Sequence, residues 1–141
     1  MNEFQTKSNQ HASFKPNQGG PPMDVQTALD RAMGDLAFLE MILKQFLDHL
    51  PAQIEELKAA VRQADGEKVR EKAHALKGSA ANLSATEIAS VALSLEKMGR
   101  DGDFHQCEEI FGRLKQELER LEAFLAEPDW SHRDHTAEES R

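Results

Sequence analysis

The sequence predicts an all-α fold, an antiparallel four-helix bundle with a short additional N-terminal helix, on three observations. Apolar residues recur at steps of three and four from about residue 25 to residue 126, the period of a helix with one buried face. No stretch alternates apolar and polar side chains as a half-buried strand would. The breaks between the periodic runs are short, which sets successive helices side by side and antiparallel. Five prolines, one tryptophan and no tyrosine also argue against a strand-rich chain.

The first element is a short helix from about Val25 to Met33, closed by Gly34. A long helix follows from about Asp35, with Leu36, Leu39, Leu43, Phe46, Leu50, Ile54, Leu57 and Val61 on one face. Pro51 lies within it, but the apolar phase continues past the proline, so a kinked helix is expected and not two separate ones. The third helix covers roughly residues 66–82, with Asp65 suited to its N-cap. "SATE" reads as a capping box that starts the fourth helix at Ser84, with Glu87 three residues on. That helix turns Ile88, Val91, Leu95 and Met98 inward and ends near Gly99. The last helix begins near Asp103 and runs to about Ala126, with Phe104, Cys107, Phe111, Leu114, Leu118, Leu121 and Leu125 as its stripe. Residues 1–22, rich in Asn, Gln, Ser and Gly and ending in "GGPP", read as a disordered arm or linker. Residues 23–126 form the domain, and 127–141 read as a flexible tail.

A formal net charge of −8 argues against nucleic acid or an anionic membrane as a general partner. No apolar run approaches the roughly 18 residues that span a bilayer, and the amino-terminal stretch lacks the apolar core of a signal peptide. Cys107 is the single cysteine and falls on the apolar stripe, so a buried inert thiol is the expectation. A cytoplasmic protein fits these features.

The stretch that calls for explanation is "EKAHALKGSAANLSATE", residues 71–87. At about 100° per residue, Val69, Ala73, Leu76, Ala80 and Leu83 fall within an arc of about 80° that must be the buried face. His74 falls about 140° from its centre, so the ring points outward. Arg70, Lys77, Gly78 and Ala81 share that outer face. Gly78 costs about 1 kcal/mol against alanine in a helix interior. What it gives in return is a notch through which another molecule can approach the ring, and Ala81 keeps the approach flat. Lys77 offers a mobile cation for an anion. A nucleophilic nitrogen, a nearby cation and open access suit transient phosphorylation of histidine, because phosphoryl transfer depends chiefly on alignment and charge neutralisation. Spacing alone leaves a second reading open, a solvated helix face whose histidine has no role.

"AHALKGSAANLSA", residues 73–85, resembles the His-x-Leu-Lys-Gly-Ser signature of histidine-containing phosphotransfer (HPt) domains. The resemblance extends over about residues 24–126 and includes "LSLEKM" on the following helix. It implies that His74 is the phosphoacceptor, that Lys77 stabilises the phosphoryl group, and that Gly78 admits the active site of a receiver domain. Arg70 and Ala81 fall on the same partner-binding face. A carboxylate or amide on the next helix often orients the ring in this family, and Glu96 matches that position. The implied function is a phosphorelay carrier that takes phosphate from a receiver phosphoaspartate and passes it to another receiver aspartate. Such a carrier has no cofactor of its own, because Mg²⁺ is supplied by the receiver. The implied partners are receiver domains and a hybrid histidine kinase, and a monomer is expected. Ser84 departs from the family, which usually has glycine between these helices; Ser79 reads as helix packing and not as a second acceptor.

Rival functions find less in the sequence. A hydrolase would need a nucleophile or carboxylate relay, yet Ala73 and Ala75 flank the histidine. No GxxxxGK[ST] loop supports a kinase. Sensor-kinase dimerisation helices usually follow the histidine with an acidic residue and soon a proline, whereas Ala75 follows here and 74–86 is proline-free. His11, His49, His105, His132 and His135 show no ligand spacing around His74, so no metal site is expected. The alternative is a helical interaction bundle that is never phosphorylated.

Overall fold

The computed structural model describes residues 20–132, so most of the expected arm and tail lies outside the described residues. The helices with both ends among the described residues are, in order, α1 (Val25–Arg31), α2 (Leu36–Arg62), α3 (Gly66–Asn82), α4 (Thr86–Asp101) and α5 (Cys107–Ala126). Among the described residues there is no strand. Helices α2 to α5 form the bundle. α3 and α4 pack most extensively on each other, α2 flanks α3, α5 flanks α4, and α2 meets α5 only sparsely.

The stripes read from the sequence make the core. Leu39, Leu50, Leu57, Val69, Ala73, Leu76, Leu95, Leu114 and Leu121 are essentially inaccessible, and each fully buried leucine contributes about 1.5–3 kcal/mol. α2 runs unbroken through Pro51, because burial of Leu50 and Leu57 on either side outweighs the backbone hydrogen bond the proline cannot make. Leu36 stays at the exposed margin of this stripe. α1 sits over the end of the bundle where α3 turns into α4. The Asp24 amide donates to the Ser84 carbonyl at 2.8 Å, Arg31 donates to the Ala81 carbonyl at 2.6 Å, and Met23, Val25 and Ala28 are buried there.

Helix ends differ most from expectation. α1 stops at Arg31, and both Met33 and Gly34 take positive φ. Four turns close with the paired 6→1 and 5→2 contacts of a Schellman motif, and three of them have a non-glycine at the left-handed position. These three run from Gly34 and Met33 to Leu29 and Asp30, from Asp65 and Ala64 to Ala60 and Val61, and from Ala85 and Ser84 to Ala80 and Ala81. Each puts a non-glycine in the left-handed region: Met33 at +61°, Ala64 at +54° and Ser84 at +58°. Ser84 therefore does not cap α4. The N-cap is Ala85, which has no side-chain capping bond, because the C-terminal turn of α3 has already fixed the backbone of Ser84. The left-handed φ is the conformation that glycine adopts without strain.

At its far end α4 passes through Gly99 and stops at Asp101, with Gly102 at φ +68°. α5 then starts at Cys107, because the Asp103 carboxylate accepts from the His105 amide at 3.3 Å and holds a separate turn. Cys107, expected to be buried, is half-buried at the first position of α5. The buried line of α5 is Ile110, Leu114, Glu117 and Leu121, with Phe104, Phe111, Leu118 and Leu125 only partly covered. Glu117, its side chain 1% exposed, accepts from Arg120 at 2.7 Å and lies 3.8 Å from Arg113. Arg120 also donates to the Gly20 carbonyl, which fastens the end of the expected arm to α5. Within the span expected as a tail, Trp130 is buried in the core.

Candidate functional site

Two helices build the site, and two glycines let them approach. A Cβ on Gly99 would lie 2.6 Å from the Arg70 amide nitrogen and 2.7 Å from the Gly66 carbonyl oxygen. α3 and α4 therefore cross with backbone nearly touching backbone. Farther along that contact His74 stands outward from α3, with 64% of its side chain exposed. Glu96 of α4 reaches up from the helix interface, with 11% of its side chain exposed.

The carboxylate of Glu96 divides its two oxygens between two residues one turn apart on α3. Oε2 accepts from His74 Nδ1 at 2.9 Å, and Oε1 lies 2.6 Å from Lys77 Nζ. The Lys77 ammonium first, and the His74 ring second, hold this carboxyl below the usual carboxylate range against the opposing effect of burial. An ionised carboxylate only accepts, so in neutral His74 the proton sits on Nδ1. The lone pair of Nε2 is then free and directed at solvent. Glu96, expected to orient the ring, is thus placed against its Nδ1.

The other expected residues are distributed round this pair. Gly78 is exposed, and a Cβ added there would meet nothing within 4 Å, so the notch inferred from the sequence is open. Ala81 is exposed one turn on, its carbonyl held by Arg31. Arg70 is partly exposed and pairs with Glu67 at 2.5 Å, one turn nearer the start of α3 and away from His74. The guanidinium of Arg70 in turn lowers the Glu67 carboxyl. Lys77, expected to face an incoming phosphoryl group, rests on Glu96. That partner was not foreseen, because i, i+3 spacing shows which residues share a face but not what a neighbouring helix presents to them.

Ser79, read as packing, is exposed. It lines a groove of about 350 Å³ beside the site, together with Arg31, Phe38, Phe46, His49 and Asn82. Phe38 is 45% exposed, a large apolar surface at the mouth of this groove. No sequence signal marked the groove, since it exists only where α1, α2 and α3 meet. Among the described residues no three His, Cys, Asp or Glu side chains come together as a metal cluster would, and no helix is long and apolar enough to cross a membrane.

A family model described as the Hpt domain matches residues 41–124. The chain belongs to the Hpt domain family. The match runs from within α2 to within α5 and includes His74, Lys77, Gly78 and Glu96. Among solved structures the chain is similar to histidine-containing phosphotransfer protein B from Pseudomonas aeruginosa PAO1, with TM-score 0.63 and 24% identity. The similarity covers 72% of this chain and 88% of that one and shows a shared fold. No curated protein matches the sequence. Membership of the Hpt family supports a carrier role in phosphorelays, with receiver domains as the class of partner.

Proposed function

We propose that this Hpt domain carries a phosphoryl group on Nε2 of His74 between receiver aspartates. The observation that supports this most directly is the exposed ring with Nδ1 tied to Glu96 and Nε2 open. In the forward step the Nε2 lone pair attacks phosphorus in line, and the P–O bond to the aspartate breaks, its electron pair leaving with the carboxylate. The chain supplies alignment and charge; the receiver supplies Mg²⁺ and most of the catalytic groups, so the domain acts as a carrier and not as a stand-alone enzyme.

The phosphoryl group adds about −1.5 to −2 charge. Lys77 can turn from Glu96 toward it, since its ammonium is a point charge on a flexible stem, while Arg70 lies within one turn of the ring. Gly78 and Ala81 leave the approach clear. The groove of Phe38, His49 and Ser79 extends the docking face onto the long helix. On this reading the interface is small and transient, in the class of signalling encounters that bury less than roughly 1,200 Å². The partners on this reading are receiver domains and a hybrid histidine kinase, the protein itself being monomeric and cytoplasmic.

The test is transfer of radiolabel from phosphorylated receivers, with His74→Gln beside the wild type. Acid-labile, alkali-stable label on the wild type alone supports the carrier and its acceptor. A folded wild type that takes no label from a broad receiver panel would instead favour an interaction bundle that is never phosphorylated.

A further inference from the structure

The geometry of Glu96 has a meaning for the loaded carrier as well as for the empty one. We propose that the Glu96 carboxylate retains the Nδ1 proton of phosphorylated His74 and so keeps the phosphorus–nitrogen bond transferable. The inference rests on the carrier reading above and deepens the role of the same site.

When Nε2 attacks phosphorus, the proton already on Nδ1 stays, and the loaded ring is a phosphoimidazolium. In the onward step the P–Nε2 bond breaks and its electron pair returns to Nε2. The ring then departs from phosphorus as neutral imidazole with Nδ1 still protonated, and no proton moves in either direction. If the loaded ring gives its Nδ1 proton to solvent, the departing group becomes an imidazolate anion, a far poorer leaving group. Water or a receiver carboxylate as acceptor meets the same requirement.

The structure places the means of retaining that proton at Nδ1. Glu96 Oε2 is 2.9 Å from that nitrogen, and the carboxylate is mostly shielded from water, where a charge acts more strongly. In the empty carrier Lys77 on the other oxygen and the His74 ring both favour the ionised carboxyl, and the loaded, positively charged ring continues to do so when Lys77 turns to the phosphoryl group. The remaining charges about the ring are few. Arg70, Glu71 and Lys77 lie within one turn on α3, and Arg100 stands one turn beyond Glu96 on α4. On α2 the nearest charged side chain tied to α3 is Glu56, paired with Lys72 at 3.1 Å, and His49 lines the groove beside Ser79. Glu96 is the one whose oxygen the structure sets against Nδ1.

An amide at position 96 can still accept from Nδ1 and orient the ring, but it lacks the charge, so Glu96→Gln separates the two roles. Glu96→Asp keeps the charge. Full-length wild type and both variants are loaded with phosphoramidate, with His74→Gln giving the label on other histidines. Loss of the phosphoryl group to water is then followed by phosphorus NMR from about pH 6 to about pH 9, the range in which an imidazole titrates. The wild type and Glu96→Asp are expected to lose phosphate at a rate nearly flat over this range. In Glu96→Gln the rate should begin to fall about one to three pH units lower, the shift a neighbouring opposite charge produces. Ring nitrogen shifts at about pH 8 should show Nδ1 protonated in the loaded wild type and not in Glu96→Gln.

Parallel profiles for the wild type and Glu96→Gln overturn the proposal, as does a slowing equal at every pH, which a merely orienting contact would give. An unprotonated Nδ1 in the loaded wild type overturns it as well. Failure of His74 to take phosphate from phosphoramidate is distinguishable, since it removes the acceptor reading and this inference falls with it.

Discussion

Replacing Gly78 by alanine should make the protein more stable, a sign the structure fixes, and on the carrier reading a poorer carrier. Gly78 lies inside α3, is exposed, and has no positive φ. A Cβ built on it meets nothing within 4 Å, so alanine adds neither a clash nor a contact. What remains is helix propensity, about 0.8–1.0 kcal/mol in favour of alanine. For a domain of this size that corresponds to a rise in Tm of about 3–6 °C. Gly99 is the matched control. It too lies inside a helix, α4, yet its Cβ would lie 2.6 Å from the Arg70 amide nitrogen and 2.7 Å from the Gly66 carbonyl oxygen. Neither backbone group can step aside, and overpacking of this kind costs about 1–3 kcal/mol. Thermal and urea unfolding followed by far-ultraviolet circular dichroism measure both variants. Gly78→Ala should also slow transfer from a receiver, and Gly78→Leu more so, with His74 intact. A Gly78→Ala protein no more stable than wild type would refute the steric reading. Unchanged transfer in a folded Gly78→Leu protein would refute the notch.

The lowered carboxyl of Glu96 makes a pH prediction: a group held below its unfolded value stabilises the fold above that value, and the contribution is lost as pH falls through the folded one. Glu96→Gln should therefore be less stable than wild type at neutral pH, with the urea midpoints converging below about pH 4. Ala64→Gly should stabilise by about 0.5–1 kcal/mol, because the strain of a left-handed alanine exceeds the added freedom of glycine in the unfolded chain; an unchanged midpoint would argue against that strain. Trp130→Ala should lose about 3 kcal/mol in the same assay if its burial belongs to the core, and a loss under about 0.5 kcal/mol would return the residue to the tail.

Much of this was readable in the chain because it depends on periodicity. Burial of Val69, Ala73, Leu76, Ala80 and Leu83 follows from one arc of a helical wheel, and the outward setting of His74 follows from the same arc. Asp65 caps α3 as its side chain suggests, since no other structure competes for that position. Ser84 was misread because two local patterns overlap there, and the closing turn of α3 takes precedence over a capping box for α4. Gly99 resembled a helix end because a sequence does not distinguish a glycine that ends a helix from one that lets another helix in. The Lys77–Glu96 pair and the groove beside Ser79 depend on how α1, α2 and α4 sit against α3, information carried by no single stretch. Trp130 lay beyond the last periodic residue and so outside any stripe.

The close crossing at Gly66 and Gly99 has a consequence for recognition. Helices in backbone contact have no side-chain layer to shear, so α3 and α4 behave as one stiff plate that carries the imidazole at a set height and tilt. On the carrier reading, shape adjustment at docking then falls to the incoming receiver and to rim side chains such as Phe38. Association should resemble the meeting of a rigid body with a pliant one, with little ordering entropy lost on this side. A fixed plate can present the same ring to more than one receiver, and the choice among them rests with the rim.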